Sequence, residues 1–176
     1  MSDMLREDLL ERLDRLDEDA SLMFDGDERF HLVIVGGGAL ILLERISRAT
    51  HDVDAISASH EILELLEKYD INCRVQTYIN NFPYNYEDRL VPLSVGGRKI
   101  DFYTASLEDI VIAKLYSARA TDIRDVESEK VVEAIDWKLL EKLAVEEDEA
   151  RASALNDRCY ADFKASYDDY VRRYRP

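Results

Sequence analysis

The stretch "FHLVIVGGG", residues 30–38, constrains the chain more than any other. Four consecutive apolar residues ending in three glycines read as a short buried strand rather than a helix, because glycine stops the run. "ALILLERIS" then resumes helical character, and "HDVDAIS" returns to a strand-like pattern. A glycine turn between strand and helix brings backbone close to a ligand and aims free N–H groups at an anion. Phosphate is the usual occupant. Asp52 and Asp54 stand at i and i+2 of the following strand, so their carboxylates leave from one face. Two carboxylates that close repel each other, but they suit a divalent cation with oxygen ligands.

The flanking sequence supplies the other elements. Leu5, Leu9, Leu13 and Leu16 recur at helical spacing among charges, which predicts an amphipathic N-terminal helix. "SHEILELLEKYD" reads as a helix capped by Ser59. "NCRVQTYI" and "RLVPLSV" read as strands around the loop "NNFPYNY", and Pro92 places the second of them at an edge or a bulge. Gly96-Gly97 reads as a two-residue hairpin turn into "RKIDFYT". Ser106 is expected to cap a helix over 107–118. Further helices are expected over 122–134, 137–145 and from about residue 152 onward. The pattern predicts one domain over 1–176 of α/β (α+β) class, with a small mixed sheet flanked by helices. An N-terminal helical segment (1–28) would precede an α/β core (29–104) and a helical C-terminal part (105–176).

Asp101 sits between Ile100 and Phe102, apolar neighbours that point to the opposite face. It is therefore a candidate third acid, able to share a metal and assist deprotonation of an attacking hydroxyl. Three alternatives fit less well. A dinucleotide-binding turn needs a small residue where Ile41 stands. An EF-hand loop fails at Ile56 and Ser57. His31, His51 and His60 form no catalytic set, although His51 adjoins Asp52.

"GGGALILLERISRATHDVDAI" resembles the signature of the DNA polymerase β-like nucleotidyltransferase superfamily. Its Arg48, Thr50, Asp52 and Asp54 look most like those of AbiEii-like and related uncharacterised bacterial nucleotidyltransferases. "SLEDIVIAKLYSARATDIRDV" is similar to the helix that follows the third acid there, with Lys114, Arg119, Asp122 and Asp125. The resemblance implies transfer of a nucleoside monophosphate from a nucleoside triphosphate to an acceptor, with Mg²⁺ or Mn²⁺ as cofactor. It implies that Gly36 and Gly37 cradle phosphates and Gly38 opens the helix. Arg48 and Thr50 belong to the nucleotide site, and Asp52, Asp54 and Asp101 would hold the metal. Lys114 would contact the triphosphate, with Arg119, Asp122 and Asp125 as lesser members. Thr121 stands where a basic residue is common, and Glu44 beside Arg45 is a further departure. The same resemblance makes a toxin–antitoxin or phage-defence setting an expectation.

Bulk chemistry narrows the partners. A net charge of −15 repels phosphate backbones at long range, which argues against duplex DNA as a partner. A protein or RNA acceptor stays open, as does a small molecule. No run approaches the ~20 apolar residues of a membrane span. Cys73 and Cys159 form no metal or disulfide pattern, so a cytoplasmic protein is expected. Tyr160, Phe163, Tyr167, Tyr170 and Tyr174 recur at helical spacing as a core or partner-facing stripe, compatible with a partner protein or homo-oligomer. A non-catalytic nucleotide-binding module that regulates a partner is the alternative function.

Overall fold

The structure, a computed structural model, describes residues 5–50, 52–57, 59–73 and 79–176. It divides into two compact units. One comprises Met1–Val75 and Leu90–Ala105, the other Gln76–Arg89 and Ser106–Pro176.

The first unit is a five-stranded mixed sheet with helices. Helix α1 (Arg6–Met23) leads to β1 (Phe30–Val35), α2 (Gly36–Leu42), β2 (Val53–Ser57), α3 (Leu63–Lys68) and β3 (Ile71–Asn72). Strands β4 (Val91–Gly96) and β5 (Ile100–Thr104) complete it in the order β3-β2-β1-β5-β4. The central strand β1 pairs antiparallel with β2 and parallel with β5. Strand β4 lies at an edge and carries a register shift between Pro92 and Gly96. Both are what a strand proline demands, since it has no N–H to donate. Alternation then sorts the faces. Leu32 and Ile34 of β1, Val53 and Ala55 of β2, and Ile100 and Phe102 of β5 are buried. So are Leu9, Leu13, Leu16 and Ala20, the apolar stripe of α1.

Several expected elements differ at their ends, each for a local reason. Helix α2 begins at the first glycine and stops at Leu42 rather than running through Ser47. Glu44 adopts φ +60°, its N–H donates to Ile41 O (3.0 Å) and that of Arg45 to Leu40 O (2.8 Å). That is a Schellman stop built on glutamate instead of glycine. Ser59 caps no helix: α3 starts at Leu63 with Ile62 as its N-cap, and the Ser59 hydroxyl accepts from Glu61 N–H at 3.4 Å. Of the strand expected over 71–79, Ile71–Asn72 is strand and residues 74–78 lie outside the described residues.

The hairpin loop is Gly97–Lys99, three residues rather than two, with Gly96 and Gly97 at φ +77° and +93°. Asp17 explains that choice. Its carboxylate, fully buried on α1, accepts from the backbone N–H of Arg98 (2.9 Å), Lys99 (2.8 Å) and Ile100 (2.6 Å). A two-residue turn would not present three amides to one acceptor.

The second unit is helical. It holds a 3₁₀ turn (Tyr86–Arg89), α4 (Leu107–Ser117), α5 (Ala120–Val126), α6 (Glu129–Ala134) and α7 (Trp137–Glu141). A π-turn (Lys142–Glu146), α8 (Glu149–Ala152) and α9 (Asp157–Tyr174) follow. Ser106 caps α4 as expected, its hydroxyl accepting from Asp109 N–H at 3.2 Å. The helix expected over 122–134 is broken into α5 and α6 at Glu127–Ser128. The aromatic stripe is largely core: Phe163, Tyr167 and Tyr170 are buried, and the Tyr170 hydroxyl donates to Val126 O at 2.6 Å. Phe163 stacks on Tyr116 at 4.2 Å between ring centroids. Among the described residues, no helix is long and apolar enough to cross a membrane.

Asp17→Ala removes the acceptor from three buried amides at once, each costing about 1–3 kcal/mol when left unpaired. The expected loss is about 3 kcal/mol or more in urea unfolding, with Asp17→Asn losing less because its carbonyl oxygen still accepts.

Candidate active site

Val35 is the last residue of β1, and its partner across the β1–β2 ladder is Asp54. Residues directly opposite in a ladder share a face, so this register delivers the Asp54 carboxylate to the point where the chain turns into the glycines. Gly36 adopts φ +65°, a conformation costly for any residue with a Cβ. A Cβ there would stand 3.4 Å from Asp54 Oδ2. A Cβ on Gly37 would meet the Arg48 guanidinium at 2.9 Å, inside any normal contact. Gly36 is thus required by its left-handed backbone, with the Asp54 carboxylate beside it, and Gly37 lies against the movable end of the Arg48 side chain. Gly38 differs, since a Cβ there would touch Ile34, Leu9 and Val53 at 3.5–3.9 Å. It belongs to the packing of α2 and not to the cradle.

Thr50 and the two aspartates belong to the segment that leads into β2 and to that strand itself. The Thr50 hydroxyl donates to Asp52 O at 2.9 Å, fixing the approach to β2. Asp52 precedes β2 by one residue and is exposed, and Asp54 is half-buried. Asn72, a residue that sequence reading did not single out, donates from Nδ2 to Asp54 Oδ1 at 3.0 Å. Beside it, the Cys73 thiol is pushed up to about 11, first by burial and then by the negative charge of Asp54. A thiol so weakly acidic is not a nucleophile near neutral pH. Val35, the N-cap of α2, offers no side-chain acceptor to the amides of the first helical turn. His51 lies outside the described residues.

Asp101 does not join this group. It faces the same side of the sheet, but its β1 partner is His31, four positions before Val35. Four strand residues span ~13 Å. The Arg29 guanidinium binds both carboxylate oxygens and holds Asp101 below the usual carboxylate range. The expected acid triad is therefore reduced to the Asp52–Asp54 pair. Among the described residues, no group of three or more histidine, cysteine or acidic side chains could hold a metal. Two hard oxygen donors still match Mg²⁺, which usually takes one or two protein carboxylates and completes its shell with phosphate and water.

In the helical unit, Lys114, Asp122 and Asp125 are all buried. Lys114 Nζ donates to Asp122 Oδ1 (2.6 Å) and Asp125 Oδ2 (2.9 Å). Asp122 Oδ2 also accepts from Ser117 Oγ (2.6 Å) and Arg119 Nε (2.7 Å). The Lys114 ammonium is thus committed to two aspartates, and Asp122 and Asp125 do more than favour a helix N-terminus. Burial alone would push the Asp122 carboxyl up, but the hydrogen bonds of Lys114 and Ser117 hold it below its ordinary value of 3.8.

A mixed five-stranded sheet with flanking helices, and a glycine turn closing on a strand carboxylate, match the small nucleotidyltransferase fold. The chain belongs to the family described as "nucleotidyltransferase of unknown function (DUF6036)", whose model matches residues 11–175. No curated protein and no solved structure matches the chain.

Lys114→Met removes the buried ammonium that two buried carboxylates share and is expected to cost about 3–5 kcal/mol in denaturant unfolding. A separate acid titration addresses Asp122. Its folded carboxyl binds a proton less readily than the unfolded one, so its contribution is complete above about pH 4 and fades as pH falls further. Asp122→Asn is expected to be less stable at neutral pH and to show a flatter decline in melting temperature between about pH 4 and pH 2.

Proposed function

We propose that the chain is a Mg²⁺-dependent nucleotidyltransferase whose site is the turn at Gly36 and Gly37 with Asp52, Asp54, Arg48 and Thr50. The observation that carries the reading is the juxtaposition at that turn. One glycine lies against a strand carboxylate and the next against a guanidinium. A phosphate chain carries negative charge to be met by Arg48 and by backbone amides, while the metal that neutralises it needs the carboxylates. Membership of a nucleotidyltransferase family supports the same reading.

In the proposed reaction an acceptor hydroxyl attacks the α-phosphorus of a nucleoside triphosphate. A new phosphorus–oxygen bond forms as the hydroxyl proton passes to solvent, the bond to the β-phosphate oxygen breaks, and pyrophosphate departs with the electron pair. Gly36 and Gly37 let the phosphates approach the backbone, Arg48 orients them, and Thr50 holds the segment carrying Asp52. The metal, when bound, supplies Lewis-acid stabilisation of charge on the phosphates. Asp101 is assigned no share of this metal, because Arg29 holds it four strand positions away. The acceptor is a protein, an RNA or a small molecule, and the AbiEii-like resemblance favours a toxin–antitoxin or phage-defence setting.

Asp54→Asn preserves shape and removes the charge a metal needs. Transfer of label from an α-labelled triphosphate to lysate acceptors is expected to fall about a thousandfold, equivalent to ~4 kcal/mol of barrier. Retention of wild-type transfer by Asp54→Asn would sink the assignment of the site.

A further inference from the structure

We infer that Asn72, carried opposite Asp54 by strand β3, is a positioning residue for Asp54. The inference rests on the nucleotidyltransferase reading and names a residue outside the motif on which that reading was built. Asn72 is the β3 partner of Asp54 across a parallel pair. Its Nδ2 donates to Asp54 Oδ1 at 3.0 Å, while Oδ2 of the same carboxylate is the atom turned toward Gly36. A carboxylate anchored through one oxygen loses rotation about its terminal torsion, and the other oxygen keeps a fixed direction. The direction retained is toward the glycine turn, where phosphate and metal would meet.

The chemical type of the donor matters. A lysine or arginine in this place would orient Asp54 and also neutralise it, competing with the cation. An amide supplies a hydrogen bond to a charged acceptor without bringing a charge of its own. The strand that carries the amide is two residues long and sits at the edge of the sheet. So short a strand adds little ladder energy, and Asn72 itself is exposed. The competing account makes this bond a cross-strand staple that only secures the edge.

Metal affinity separates the two. Binding of Mn²⁺ to the full chain is measured by electron paramagnetic resonance in the presence of a non-hydrolysable ATP analogue, alongside thermal unfolding. Asn72→Ala and Asn72→Leu, which cannot donate, are expected to raise the half-saturating Mn²⁺ concentration about tenfold, the lower range for residues that orient metal ligands. Asn72→Gln, which keeps the amide, is expected to recover part of the loss. Wild-type titration curves in the Ala and Leu variants overturn the inference and leave the edge staple. A Gln variant as impaired as Leu also overturns it. If the wild-type chain shows no Mn²⁺ binding with the analogue, the nucleotidyltransferase reading falls first and takes this inference with it.

Discussion

The candidate site depends on one register. Strand β1 occupies the middle of the first unit's sheet, and its last residue, Val35, faces Asp54 across an antiparallel ladder. A slip of one residue would turn Asp54 to the other face, beside Leu32 and Ile34 of β1, where a carboxylate would be buried in apolar surroundings. The buried face therefore enforces the register, and the register places the acid. Gly36 stands next to that acid, and its left-handed backbone makes the turn into α2. Packing and chemistry are specified here by the same set of apolar side chains.

This coupling explains which parts of the molecule could be read in advance. Strand β1, helix α1 and the Ser106 cap announce themselves by periodicity or by a single short-range hydrogen bond, so sequence suffices. Pro92 likewise reveals its edge through the donor it lacks. Alternation also showed which face Asp101 would take, and the structure agrees. It was silent on how far along the sheet that residue would lie. Period two carries face but not level, because level is set by pairing with β1 over some seventy residues of intervening chain. The expected triad failed on that distinction.

Other misses share a form. Each depends on a partner remote in sequence or on an unusual residue in a familiar role. The stop of α2 uses Glu44 where glycine is the common signal. The three-residue hairpin loop answers to Asp17, more than eighty positions upstream. Lys114 reaches both Asp122 and Asp125 because a new helix starts after Ala118 adopts φ +51°; the sequence showed the break but not the buried pairing across it. Asn72 carries no pattern at all, being one amide after one isoleucine. Only the pairing of β2 with β3 gives it meaning.

The acids that look alike in the sequence are distinguished by their partners. Asp101 shares both oxygens with a guanidinium, Asp122 and Asp125 share a buried ammonium, and Asp17 is filled by backbone amides. Each of those arrangements lowers the free energy of a fixed carboxylate and commits it to the fold. A metal ligand needs a different compromise, with enough bonding to hold direction and enough residual charge to attract a cation. At Asp54 the Asn72 amide donates to one oxygen, and the other lies on the side of Gly36. In an acidic chain of net charge −15, abundance of carboxylates therefore says little about where a cation would sit. In the reaction proposed above, the carboxylate given to the cation is Asp54, which accepts from the Asn72 amide beside the glycine turn.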